Sequence, residues 1–411
     1  MRIFSALFAL WLAASLAAGA DWPQWRGSLR DDISTETGLL PQWPAGGPAL
    51  AWKATGLGDG YSGVSVAKGR IYTMGDRGDA SFLLALDAAT GNVLWSTKVG
   101  KSGGNYPGPR CTPTVDDDQV VTLGQFGDLV CVSAADGKEH WRHNLEGDFG
   151  GKMMSGWGYA ESPLVVDGRV ICTPGGAQGT MIALDKKTGA VAWRCKDWTD
   201  NAAYSSIVLA TIHGVQQCVQ LTDASVGGVA VQDGRLLWRA PRPGKTAVIP
   251  TPIVADDSVY VTSSYNAGCN LFEVEKDAAG SGFAARQVYS NKDMQNQHGG
   301  VVKVGDYLYG YSDGKGWLCQ NFKTGETVWQ EKEKLSKGSL SCAGGMLYLR
   351  AESGPGTVVL IEATPKGWTE KGRFDQPNRS DKNSWPHPVI SGGCLYLRDG
   401  DILLCYDVKQ K

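Results

Sequence analysis

One phrase recurs along this chain and limits what it can fold into. An apolar run enters a polar turn closed by glycine, and a tryptophan follows that glycine by four positions. The copies stand at 83–99 (LLALDAATGNVLWSTKV), 129–145 (LVCVSAADGKEHWRHNL) and 181–197 (MIALDKKTGAVAWRCKD), with weaker ones at 228–241 and 318–332. They pair Gly91 with Trp95, Gly137 with Trp141, Gly189 with Trp193, Gly234 with Trp238 and Gly325 with Trp329. Successive glycines are 46, 52 and 45 residues apart over the first four copies (91, 137, 189, 234), a period that fits four short strands per unit. Each copy reads as a hairpin whose glycine takes a positive φ. A second strand pair precedes each, as in SVAKGRIYTMGD (65–76) and LVVDGRVICTPGG (164–176). One such sheet cannot bury both of its faces, but a ring of them can.

The predicted fold is therefore all-β, an eight-bladed β-propeller of four-stranded antiparallel blades. Eight innermost strands are read at 61–66, 111–115, 160–166, 204–212, 249–254, 299–304, 338–343 and 387–390. The chain stops at ILLCYDVKQK, one strand short of a complete eighth blade. The segment 48–57 (PALAWKATGL) has the outer-strand pattern without a blade of its own, Trp52 matching Trp95. It is expected to close the ring by completing the last blade. Trp52, Trp95, Trp141, Trp193, Trp238 and Trp329 are read as structural blade residues.

The repeats resemble the pyrroloquinoline-quinone (PQQ)-type propeller, whose mark A-x-D-x-x-T-G-x-x-x-W stands here at Ala85–Trp95 and Ala183–Trp193, with a looser copy at 319–329. The resemblance spans essentially the whole chain after residue 20. It is shared by quinoprotein alcohol dehydrogenases and by the non-catalytic propeller lipoprotein of β-barrel assembly. The phrases DWPQWRG (21–27) and WGYAESPLV (157–165) look like those of a group of secreted bacterial PQQ-like propellers.

Residues 1–20 read as a signal peptide: Arg2, an apolar run at 3–17, then a small-x-small site at Ala18-Gly19-Ala20. The run is short for a membrane span, which needs about 20 apolar residues. The expected protein is exported, periplasmic or secreted, cleaved near Ala20, monomeric and without a membrane span. Residues 21–47 are read as an N-terminal extension and 48–411 as the propeller. Charged residues make up 20% and the net charge is −2, which argues against a nucleic-acid partner. Ten cysteines show no CxxC and no adjacent pair; most sit in strands, where cysteine packs as a small hydrophobe. An Asp399-Gly400 hairpin turn would set Cys394 opposite Cys405 as a hydrogen-bonded pair, a spacing that strains a bridge.

The loops sort into two sets. Those joining first to second and third to fourth strands are short and plain. Those on the opposite face are long, glycine-rich and aromatic: 100–110, 146–161, 197–204, 263–270, 291–300, 311–317 and 375–388. Binding residues usually sit in such loops. Where the loops enter the inner strands, Tyr61, Arg110, Trp157, Tyr159, Glu161, Tyr204, His298, Trp385 and His387 converge on the axis. Arg110, Trp157, Tyr159, Glu161, His298, Trp385 and His387 are the expected ligand-binding set: tryptophans to stack a ring, Arg110 to fork onto a carboxylate, Glu161 as a metal ligand.

Two functions fit these residues. The first is a binding or scaffold module holding a small molecule, peptide, glycan or protein on the long-loop face over the axis. The alternative, implied by the resemblance, is a quinoprotein oxidoreductase (an alcohol dehydrogenase-like enzyme) using PQQ and Ca²⁺. The vicinal disulfide and large insertions of those dehydrogenases are missing, as is a CxxCH haem site. P-loop and HExxH motifs are absent as well.

Overall fold

The structure, a computed structural model, describes residues 21–277 and 282–410; the signal-peptide reading lies outside them. All regular structure is strand, arranged as eight four-stranded antiparallel sheets, one of which gains a fifth strand. These are the eight blades. The first blade uses Ser65–Ala67, Arg70–Arg77, Ala80–Asp87 and Val93–Lys101, and the pattern repeats to Val389–Ser391, Cys394–Asp399 and Ile402–Asp407. Among the described residues no helix is long and apolar enough to cross a membrane.

The last blade is completed as expected. Ala49–Ala54 pairs antiparallel with Ile402–Asp407, Trp52 standing opposite Cys405. This joins the two ends of the propeller and leaves the ring without an open sheet edge between its first and last blades.

The glycine–tryptophan repeat has a physical cause that lies between blades. At four seams the indole of one outer strand docks on the turn glycine of the next blade. A Cβ on Gly91 would stand 2.5 Å from the Trp52 ring, one on Gly137 2.5 Å from Trp95, one on Gly189 2.9 Å from Trp141 and one on Gly234 2.5 Å from Trp193. Each indole N–H also donates across the seam, from Trp52 to the Ala88 carbonyl (3.2 Å), from Trp141 to Lys186 (2.8 Å) and from Trp193 to Val231 (2.9 Å). Where the fifth blade lacks the tryptophan, Tyr289 does the same, packing on Gly325 and donating to the Phe322 carbonyl at 2.9 Å. A bulge immediately before the docking residue aims it: the register slips between Glu139 and Trp141, between Leu50 and Trp52, and at the matching place in the other blades. Trp238 departs from the pattern, its N–H donating to Gln217 Oε1 within its own blade.

Two expectations are corrected. Most inner strands pair later than predicted: Ser65–Ala67 rather than 61–66, and Val208–Ile212 rather than 204–212. Near the axis the blades converge, and the chain there bonds to the neighbouring blade. Ser62 Oγ donates to the Cys111 carbonyl (2.6 Å), Ser162 Oγ accepts from Thr112 N (3.0 Å) and Ser206 Oγ from Ser162 N (3.0 Å). The last hairpin turns at Gly400-Asp401, so Asp399 faces Ile402, Cys394 faces Asp407 and Cys405 faces Tyr396. The two cysteines are thus diagonal, and all ten cysteines are free thiols.

The segment after residue 20 does something the sequence did not suggest. Trp22 pairs with Val66 at the plain-face end of the first inner strand. Ile33–Ser34 leaves alongside Cys342–Ala343, parallel to the inner strand of the seventh blade. Between these points the chain loops up into the central channel as a plug, with Arg26, Arg30 and Asp32 fully buried and each in a left-handed conformation.

Candidate ligand pocket on the propeller axis

The plug makes the channel blind. Its tip, Trp25, donates from Nε1 to Thr251 Oγ1 (2.9 Å) and forms the floor of a pocket that opens on the long-loop face. The plug is held by Arg30, whose guanidinium donates to the carbonyls of Ser162 (3.0 Å), Pro163 (2.5 Å) and Ile207 (2.9 Å). Arg26 donates to the Val301 carbonyl (2.6 Å) and pairs with Asp32 at 2.9 Å. Five carbonyl-directed or ionic bonds of this kind fix a short irregular segment that propensity alone would leave loose.

Above Trp25 the wall is a belt of rings supplied by separate loops. Tyr61 stacks on Trp385 with centroids 4.2 Å apart, Trp385 lies 5.7 Å from Tyr106, Tyr106 meets Trp157 edge-on at 6.4 Å, and Trp157 lies 6.1 Å from Tyr204. His298 joins the belt 5.4 Å from Trp385. Tyr265, Gln297 and Arg110 complete the rim, and the pocket encloses about 990 Å³, its open mouth included.

Of the residues expected here, Arg110, Trp157, His298 and Trp385 line the pocket, as do Tyr61 and Tyr204. Arg110 donates to Gln125 Oε1 (3.0 Å) and to the carbonyls of Asn105 (3.2 Å) and Tyr106 (2.8 Å). Burial makes its charged form harder to hold, with Tyr61 and Tyr204 opposing. His298 pairs with Glu352 at 2.5 Å; burial lowers its proton affinity and Glu352 partly restores it.

Tyr159, Glu161 and His387 do not reach the pocket. Ala160 faces the cavity and its neighbours Tyr159 and Glu161 turn away from it, while Trp385 and Pro386 both line the cavity and the chain passes beneath its floor at His387. Tyr159 is buried between the second and third blades and donates to the Pro174 carbonyl (3.0 Å). Glu161 is 1% exposed and accepts from Thr173 N (2.7 Å), Thr173 Oγ1 (2.8 Å) and Gln220 Nε2 (3.2 Å). Burial pushes its carboxyl up to about 7 despite those bonds and the field of Arg30. His387 lies under the floor, its ring 4.6 Å from that of Trp25, fixed between Asp32 (2.8 Å) and the His298 carbonyl (2.8 Å). Its partnership with Asp32 ties the plug to the pocket wall.

The residues that sequence reading missed are Trp25, Tyr106, Tyr265 and Gln297. The last three lie in loops already marked as functional by their length. Trp25 carries no such signal, because its place depends on where a preceding segment threads.

Chemically the pocket supplies stacking surfaces, a few hydrogen-bonding groups and one guanidinium. None of its lining residues is a carboxylate, and among the described residues no group of three His, Cys, Asp or Glu is placed to hold a metal.

The profile of a family described as outer membrane protein assembly factor BamB matches residues 41–122 and 79–331. The chain is 23% identical over 283 residues to outer membrane protein assembly factor BamB of Burkholderia pseudomallei, covering 58% of this chain and 72% of that one. It is 33% identical over 148 residues to the dehydrogenase subunit of a quinone alcohol dehydrogenase from Komagataeibacter europaeus, covering 31% of this chain. The matched stretch is only 20% of that dehydrogenase's length. Among solved structures, BamB from Moraxella catarrhalis superposes with a TM-score of 0.63 at 15% identity, covering 88% of this chain and 98% of that one. The quinohemoprotein alcohol dehydrogenase ADHIIG from Pseudomonas putida also gives 0.63, at 13% identity, covering 95% and 81%. At such identities these two likenesses speak for the propeller alone.

Proposed function

The chain belongs to the family described as outer membrane protein assembly factor BamB, and we propose that it is an exported binding module whose partner group enters the aromatic pocket on the long-loop face. The observation that carries this reading is the pocket's construction. Loops from separate blades bring a continuous ring belt to one place, and an N-terminal indole floors it. An aromatic-lined concavity with a few directed polar groups suits a ring-bearing ligand or a side chain presented by a partner. No wall residue is arranged as a nucleophile with a base. The one imidazole on the wall, His298, is already engaged by Glu352.

The quinoprotein alternative fares worse on donor chemistry. PQQ with a calcium ion needs carboxylate oxygens beside the quinone. The pocket offers indoles and Arg110 but no carboxylate, and Glu161 is closed off behind Ala160 with its oxygens already occupied. The residues present do not fit the pair, and no redox step is assigned to them.

Calorimetry with PQQ in the presence and absence of Ca²⁺, alongside neutral aromatic fragments, separates the two readings. The binding-module reading expects ring binding that ignores Ca²⁺ and is lost in Trp157→Ala. Calcium-dependent uptake of PQQ, abolished by Glu161→Gln, would return the protein to the oxidoreductases.

A further inference from the structure

We infer that the pocket selects a ring that carries a carboxylate, an inference that rests on reading the pocket as the binding site. The first observation is charge accounting around the rim. Lys337 is paired with Asp313 (2.8 Å), Lys382 with Asp59 (2.8 Å) and His298 with Glu352 (2.5 Å). Arg110 makes no salt bridge among the described residues: its three hydrogen bonds all go to neutral acceptors, and Asp76 acts on it only through its field. A guanidinium has five N–H donors, so two are left for an incoming group. Among the residues that line the pocket, Arg110 is thus the one guanidinium or ammonium without a bonded counter-ion, and none is an acid.

The second observation places that charge relative to the rings. The Tyr106 carbonyl accepts from Arg110 at 2.8 Å, while the Tyr106 ring lies between Trp157 and Trp385. One residue thus couples the cation to the stacking belt, and it does so from a left-handed conformation at φ 56°, a geometry that costs energy in a residue with a side chain. A ligand that stacks on the belt brings a substituent on its own edge towards the guanidinium. Cationic ligands, which aromatic cages otherwise favour, are opposed here by Arg110 and find no carboxylate. An arriving anion offsets the desolvation that disfavours the charged form of Arg110.

Two sources share this chemistry: planar aromatic acids and the uronic-acid rings of glycans. The test uses residues 21–411 and ligand-observed NMR titrations with benzoate against benzamide, and methyl galactopyranosiduronate, the glycoside with its carboxylate free, against methyl galactoside. The acid of at least one pair is expected to bind about tenfold or more tighter than its neutral partner, the ratio one charge-assisted bond supplies. Whichever pair shows it identifies the source. Arg110→Gln is expected to erase the preference while neutral-ring binding persists; Arg110→Lys, which keeps the charge, is expected to retain part of it and guards against a folding artefact. Equal binding of acid and neutral partner, no binding in either pair, or a preference surviving Arg110→Gln would overturn the inference. If neutral rings bind and are lost in Trp157→Ala while Arg110→Gln changes nothing, the pocket stands and the anion selectivity falls. If Trp157→Ala changes nothing, the pocket reading itself fails.

Discussion

Trp25 donates its indole N–H to Thr251 Oγ1 at 2.9 Å across 226 positions of chain, and that bond seats an N-terminal ring as the floor of a pocket walled by loops from the rest of the propeller. The plug that carries it depends on Arg30, which satisfies the carbonyls of Ser162, Pro163 and Ile207. Arg30→Met is expected to destabilise the fold by about 3 kcal/mol or more, since it leaves buried acceptors unmet. Trp25→Ala, which keeps Arg30, is expected to cost less stability but to deepen the pocket and weaken ring binding. Denaturant melts of the two variants check the first statement, and ring-fragment titrations check the second.

The seam between blades offers a cleaner experiment on stability. Gly137 and Gly168 both have positive φ, 74° and 70°. A Cβ on Gly137 would stand 2.5 Å from the Trp95 ring, whereas one on Gly168 meets nothing within 4 Å. Alanine at either place costs about 1–2 kcal/mol for the backbone. Gly137→Ala is expected to cost a further 1–3 kcal/mol, roughly, for displacing the docked indole. Equal losses in the two variants would mean that the staple between blades carries no energy of its own.

Ring closure is tested by removing its strand. Deleting residues 21–57 strips Ala49–Ala54 from Ile402–Asp407 and the plug from the channel. The exposed sheet edge and apolar blade faces are expected to cause aggregation or loss of the cooperative melt. A truncated chain that melts like the full mature protein would refute closure as a stabilising device.

Glu161 supplies a pH signature. Its carboxyl is raised from 4.5 to about 7 by burial. Between those values the folded chain keeps a proton that the unfolded chain has released, so stability falls as pH rises, and the loss is complete above about 7. Glu161→Gln has no such proton. The stability of wild type relative to the variant is therefore expected to decline from pH 4.5 to 7 and then level off. A difference that does not change over that range would show that Glu161 titrates in the ordinary carboxylate range.

How much of this was legible in the sequence follows from how local each feature is. The turn glycine and the tryptophan four residues on are set by one hairpin, so the repeat, the blade count and the closing strand at 48–57 could all be read. The partner of Trp52, Trp95, Trp141 or Trp193 is in the next blade, and spacing alone could not show that. The long loops marked the face on which the pocket opens and brought out Arg110, Trp157, His298 and Trp385. Tyr159, Glu161 and His387 each sit one residue away from the cavity wall, which Ala160 takes in one loop and Trp385 with Pro386 in the other. Composition favoured the polar neighbours, but burial with satisfied hydrogen bonds is equally open to them. The Cys394–Cys405 register failed for a similar reason: placing the turn one residue later shifts every opposite pair by two. Trp25 was beyond reach, since its position follows from a path through the channel that no local pattern encodes.

The central claim is that the ring belt over Trp25 is where this protein binds. Soaking crystals of residues 21–411 with a library of small ring fragments, and repeating the soak with Trp157→Ala, tests it most directly. The account predicts fragment density on the axis, above Trp25 and against Trp157 and Trp385, that disappears in the variant. Density confined to the groove between the first two blades, around Lys98, Arg142 and Glu146, or density on the axis that survives Trp157→Ala, would contradict it.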